Sequence, residues 1–584
     1  MRPHAVLATL VVALGCSLRS QGGSGAVSTV VPGIGGAIPP AIAVSAPAPG
    51  SWVTTGAVTL LGRAVAPSGL AVSSLSAAGV PAVVQTDGTF QVQLQLAPGI
   101  ASVLLAATDA AGTTFATTVS YMVGPFEPML EVPGAARIQL NASALPALER
   151  DVARALDGLD ATALLVGLNP LVVQVLGGVV SVQVEFVSAA HGPSQVQLGL
   201  QSNALDVGLV IPGATVSIII DDARTSLIPV RIPAVLTATS IEASAAATFS
   251  SSGGAAQATL GPAAVSIQGL TIQTTSPIDQ VLAALLRSTV QGALEKALER
   301  CVAKDVPPII DRTLAGNAKP LTLTIGGAAL DLELRPQEIL ASPAGLEVTV
   351  AALASAGAAA GYPGVASSPP VLPTTTDVSV AVATDFLSEA LVALHAAGAL
   401  DIDIDAQSWP ATLGPLDLQT IAALVPELAS AGPGSTPVLL RVRPALPPLL
   451  EVGPGPDPFT LALGEARIEI LADMGPGGVV PLLGVAAHTR ISAALSLQGT
   501  TLAISTGPTR PAVDWSVVDQ PYARVDETRL QVRLAVLFDA LLPKLLARLS
   551  SIPLPATLGA SIGNAGVSAT GAGSDNLTVS GDLK

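Results

Sequence analysis

The sequence predicts an α+β chain that is mostly β, built as two halves of one plan behind a smaller β domain. Three observations lead there. Alternating apolar and polar runs recur along the chain, as in Thr89–Leu96 (TFQVQLQL), where Phe90, Val92, Leu94 and Leu96 fall on one face. Two long stretches of helical apolar spacing interrupt them, Ser276–Gly316 and Asp526–Pro555. Each follows a short helical stretch, Ser143–Leu156 in one half and Asp385–Ala397 in the other, at a similar spacing, which points to a duplicated unit.

The elements follow in order. Arg2 and His4 precede the apolar run AVLATLVVALG, too short to span a bilayer, so residues 1–16 read as a secretory signal. Ala13-Leu14-Gly15-Cys16 resembles a bacterial lipobox, although leucine is commoner where Ala13 stands. It would leave Cys16 as the lipidated first residue of the mature chain. Residues 17–40, rich in Gly, Ser and Pro, form a tether. Residues 41–124 read as a β-sandwich, with a hairpin signal at Asp87-Gly88 and a second alternating run at Val103, Leu105 and Ala107. The string DGTF followed by ATDAAG resembles a bacterial immunoglobulin-like domain, a spacer or binding module.

Residues 126–350 form the first large β-rich region. In its short helix Leu145, Leu148, Val152 and Leu156 share a face. The apolar run Ala163–Val182 is broken by Asn169-Pro170, Gln174 and Gly177-Gly178, so it reads as loop plus strand rather than a membrane span. In the long helix Ser276 caps, Pro277 takes the first position, and Ile278, Leu282, Leu285 and Thr289 make one apolar face. Leu294, Leu298 and Cys301 then fall on another side, and Pro307-Pro308 ends the helix. Residues 351–376 are a Pro-rich linker, and residues 377–584 repeat the plan. The late helix carries Leu530, Leu534, Leu537, Leu541, Leu545 and Leu549 on one face, with a bend at Pro543.

Composition narrows the function. Half of the residues are hydrophobic but only 2% are aromatic, so the cores are built from Ala, Val and Leu. A formal net charge of −16 argues against a nucleic-acid partner or an anionic membrane held by bulk charge. Two distant cysteines make neither a disulfide framework nor a zinc site. His191, His395 and His488 have no metal-ligand spacing, and no G-x-S-x-G is present, so no catalytic residue, metal or cofactor is assigned. Asp401, Asp403 and Asp405 share a strand face, read as solvated rather than as a calcium site because EF-hand spacing is absent.

Several strings together carry a resemblance. VSVAVATDFLSEALVALHAAGALDIDI, IAALVPELAS, PPLLEVGPGPDPFTLALGEARIEILA and LAVLFDALLPKLLARLSSIPLPATLGASIGNAGVSATGAGSDNLTVSGDL stand in the second half. PIDQVLAALLRSTVQGALEKALERCVAKDVPPIIDRTLAG stands in the first. In order and spacing they resemble the tubular lipid-binding superfamily typified by bactericidal/permeability-increasing protein, over about residues 130–584. The resemblance implies a boomerang of two elongated antiparallel barrels, each with a long helix, joined by a central sheet. It also implies acyl chains held beside those helices, by Ile278, Leu282 and Leu285 in one half and Leu534, Leu537, Leu541 and Leu545 in the other.

Two departures stand out. Cys301 lacks the disulfide partner of animal members, and the acidic chain lacks the basic tip of lipopolysaccharide-binding members. The expectation is non-catalytic binding or transfer of phospholipid or another acyl lipid by an outer-membrane lipoprotein held through Cys16. The immunoglobulin-like domain is then open to an envelope protein partner. The alternative is a structural or adhesive surface lipoprotein whose barrels are filled.

Overall fold

The computed structural model describes residues 41–66, 70–127, 131–158, 169–175, 180–222, 231–252, 255–274, 277–314, 321–325, 328–356, 362–363, 372–452, 459–498, 501–506, 511–522, 552–553, 562–570 and 575–583, with isolated residues between 162 and 165 and between 525 and 542. The described chain is mostly β.

The N-terminal eight-stranded sheet folds over on itself. Its alternation is what the sequence reads: Phe90, Val92 and Leu94 are buried on the strand Thr89–Gln95, opposite Val103, Leu105 and Ala107 of Gly99–Asp109 in one shared core. Asp87-Gly88 makes the expected tight turn, with Gly88 at φ +85°.

The first half curls around two strands of unusual length, Ala204–Asp222 and Ile232–Ser252. At about 3.3 Å per residue each spans roughly 60–70 Å. Strands Leu171–Val175 and Val180–Ala190 pair antiparallel within this sheet, so the stretch read as loop plus strand contains two strands. The helix Pro277–Leu314 lies across the sheet, touching the Leu171–Val175 strand and the Ala255–Leu260, Ala264–Gln268 and Thr271–Thr274 strands. Pro307 and Pro308 do not end it. Proline's fixed φ is helical, and each ring removes one backbone bond without forbidding the next turn.

The second half repeats the arrangement. Phe459–Asp473 and Val479–Gln498 form its long hairpin, and helical residues 527, 530–535, 537–538 and 542 cover one face. Its short helix Thr384–Ala396 is closed by Gly398 at φ +65°.

One seven-stranded sheet draws on both halves. Val132–Asn141 pairs with Val378–Ala383, which pairs with Asn576–Leu583. The strand Gly345–Ser355 of this sheet runs into the stretch read as the linker. Beyond it, Pro373 and Thr376 are tied to the Asn141 carboxamide through their carbonyls.

The N-terminal sheet is not a free spacer. Ile100 and Met122 pack on Leu446, Leu449 and Ala462 of the second half, with Trp52 at the margin. Among the described residues no helix is long and apolar enough to cross a membrane.

Candidate apolar binding faces

Each long helix presents an aliphatic stripe to the sheet beneath it. In the first half the stripe is Ala283, Leu286, Val290, Leu294 and Ala297, all buried, with Leu298 partly so. It rests on Val184, Ile218, Ile220 and Leu236, and Phe186 is the one aromatic residue of that core among the described residues. The spacing of three and four makes a single continuous face. Thr289, read onto the apolar face, is exposed, and Leu294 lies in the same buried stripe as Leu286. The backbone at Ile278, Leu282, Leu285 and Cys301 is helical, while their side chains lie outside the described residues.

In the second half Leu530, Leu534, Leu537, Phe538 and Leu542 point inward, and Val532 faces solvent. Leu534 and Leu537, two of the expected lipid contacts, meet a core formed by Ile468, Ile470, Val485 and Trp515. Leu541, Pro543, Leu545 and Leu549 lie outside the described residues, as does Cys16.

A polar device holds each helix to its sheet. In the first half the Gln291 side-chain amide donates to the Ile267 carbonyl at 3.0 Å, and Glu295 accepts from the Ile267 amide at 3.0 Å. In the second half Gln531 donates to the Trp515 carbonyl at 2.8 Å and accepts from its amide at 3.0 Å. Glu527 adds a bond from the Val517 amide at 3.3 Å. The clamps grip the strands Ala264–Gln268 and Val513–Asp519, each paired among the described residues with a single long neighbour, and the side chains satisfy backbone groups there. The sequence signal was present as a Gln/Glu pair four residues apart, once as Gln291/Glu295 and once as Glu527/Gln531. Replacing Gln531 with Ala is expected to cost about 2–4 kcal/mol, because the Trp515 amide and carbonyl are left unpaired. Denaturant midpoints followed by tryptophan fluorescence measure it; a loss under about 0.5 kcal/mol means water replaces the clamp freely.

The polar residues weighed from sequence have structural partners. Arg443 pairs with Asp401 at 2.9 Å and Asp403 at 3.0 Å, and Asp405 accepts from the Gln407 and Ser408 amides. Among the described residues no group of three His, Cys, Asp or Glu is placed to hold a metal ion. His395 is packed, its Nε2 at 2.8 Å from the Pro444 carbonyl, and burial lowers its pKa. His191 Nδ1 lies 2.7 Å from the Gly192 carbonyl.

No family model matches the chain. Among solved structures it is similar to a lipopolysaccharide binding protein, at 15% identity over 78% of this chain and 99% of that one, with a TM-score of 0.43. It is also matched to P47 of Clostridium botulinum E1, at 6% identity over 78% of this chain and 100% of that one, with a TM-score of 0.22. P47 from Clostridium botulinum A2 gives 9% identity over 77% and 98%, with a TM-score of 0.21.

Proposed function

We propose that this chain binds acyl lipid without catalysis, between each long helix and the sheet it covers. The observation that carries the reading is the chemistry of the first half's face. A helix stripe of Leu286, Val290 and Leu294 lies over Val184, Ile218, Ile220 and Leu236, aliphatic on both sides. The helix extends 38 residues, about 57 Å at 1.5 Å per residue, a length that accommodates extended alkyl chains. Each methylene moved from water into such a face contributes about 0.8 kcal/mol, so two acyl chains bind without polar contacts. Phospholipid is the cargo this suits, and selectivity among head groups is weak on the same account. The cell envelope is the setting, with lipidated Cys16 and the tether of residues 17–40 holding the protein at the outer membrane.

A second reading has its own observation. Leu286, Val290 and Leu534 are completely buried by protein, as in a filled core. A structural or adhesive protein of the same fold needs nothing more.

Native mass spectrometry of protein beginning after Cys16, purified without detergent, separates the two. Lipid binding predicts co-purified phospholipid, or its uptake from phosphatidylethanolamine vesicles, at a fixed stoichiometry. Leu294→Trp or Leu542→Trp, in a protein that keeps its circular dichroism, then removes one equivalent. A folded wild type that carries no lipid and takes up none establishes the filled-core reading.

A further inference from the structure

The seam between the N-terminal sheet and the second half contains a chain of buried polar groups that the lipid reading does not use. Ser120 and His488 meet there, and Ser516 and Glu465 complete the cluster; their exposures are 0%, 2%, 4% and 1%. Ser120 comes from the N-terminal sheet and the other three from the second half.

A bulge builds the contact. The pairing of Phe459–Asp473 with Val479–Gln498 slips between Leu463 and Ala466, and Glu465 sits at φ +50°. The bulge lets the carboxylate accept from the Ser120 amide at 3.3 Å. Gly464 must be glycine at this approach, since a Cβ would stand 2.8 Å from both Ile100 Cγ2 and Ser120 Cβ.

The imidazole's partners fix its tautomer. His488 Nδ1 lies 2.7 Å from Ser120 Oγ and 3.4 Å from the Glu465 amide. An amide only donates, so Nδ1 is the acceptor, and Nε2–H donates to Ser516 Oγ at 3.0 Å. Ser120 Oγ is linked in turn to Ser102 Oγ at 2.8 Å. A proton added to Nδ1 would face the Glu465 N–H, and the Ser120 hydroxyl would have to reverse and accept from it, inside an apolar surround of Ile100, Met122, Leu446 and Ala462.

We propose that this seam is an acid-released latch: protonation of His488 undocks the N-terminal sheet from the second half while both stay folded. The other titratable and charged groups at the seam are Glu465, with Arg467 3.9 Å behind it, and Tyr121, whose hydroxyl donates to Pro47. Asp514 faces His488 across the strand pair, and Arg490 with Glu451 lies at the rim, donating to the Ile100 carbonyl at 3.2 Å. Burial holds His488 down at about 4, so docking is complete above the free imidazole's pKa near 6.5 and weakens as pH falls toward 4. Burial raises Glu465, which has the opposite sign: docking gains as that carboxyl takes up a proton.

Hydrogen exchange on the full chain between pH 7 and pH 4, corrected for the intrinsic rate, tests the latch. Amides at Ser120 and Glu465 are expected to lose at least tenfold of their protection. Those of the strands Ala57–Val65 and Val438–Pro444 keep theirs. His488→Gln, whose carbonyl oxygen still accepts, is expected to stay docked at both pH values, and Glu465→Gln to release more completely in acid. Unchanged protection at the seam, equal loss throughout the chain, or wild-type pH dependence in His488→Gln overturns the proposal. Should His488→Gln fail to dock, the carbon-13 titration of the wild-type imidazole decides: a midpoint apart from that of seam exchange is equally fatal.

Discussion

Glu389→Leu is expected to be more stable than the wild type at pH 9, by about 3–5 kcal/mol, with the advantage shrinking toward pH 5. Glu389 lies on the helix Thr384–Ala396, fully buried, and neither carboxyl oxygen has a hydrogen-bond partner among the described residues. The helix covers a core of Val132, Leu330, Leu332, Ala352 and Ala354. Burial pushes the carboxyl up to about 8, and the charge of Asp385 adds to this. The Ala354 amide opposes the shift without reaching hydrogen-bond geometry. The folded chain therefore binds a proton that the unfolded chain releases near the ordinary Glu value. Wild-type stability falls as pH rises from about 4.5 to about 8 and is level beyond. Urea midpoints across that range measure the slope; a Glu389→Leu variant with the same slope as the wild type refutes the assignment.

Trp515→Ala is expected to cost about 3–5 kcal/mol, and Trp515→Phe under about 1.5 kcal/mol. The ring is completely buried and meets Phe538 edge-on, with centroids 6.2 Å apart and planes at 81°. Its Nε1 has no hydrogen-bond partner among the described residues, so phenylalanine keeps most of the packing and gives up no polar contact. Because Gln531 holds the backbone of this same residue, Ala should loosen the late helix as well. Near-ultraviolet circular dichroism and denaturant midpoints report both. Equal costs for the two substitutions mean that the indole N–H is bonded after all.

What the sequence revealed depended on how local the deciding physics was. Phe90, Val92 and Leu94 were legible because a two-residue period decides a face by itself. The existence of the first long helix was legible too, but Thr289, read onto its apolar face, is exposed. Val281 through Leu286 are all apolar, so periodicity there fits more than one face; Ala283 and Leu286 are buried and Ala284 is exposed. The proline pair looked like a stop because propensity weighs a single residue, whereas a long packed helix carries the local cost. Leu534 and Leu537 were placed correctly on the inward face. The clamps and the seam were missed because their partners lie far apart in sequence: nothing near Ser120 announces Glu465 or His488.

The sheet shared by the two halves has a consequence for how the chain is made. Val132–Asn141 finds its partner at Val378–Ala383, and that strand is paired on its other edge by Asn576–Leu583. At a synthesis rate of about 5–20 residues per second, the last of these leaves the ribosome roughly 20–90 seconds after the first. Until then the middle strand offers an open edge of β-branched and small residues, VSVAVA, to any other chain. The halves can begin to fold in turn, but the piece that joins them closes only at the end, so the nascent protein needs shielding longest at its centre.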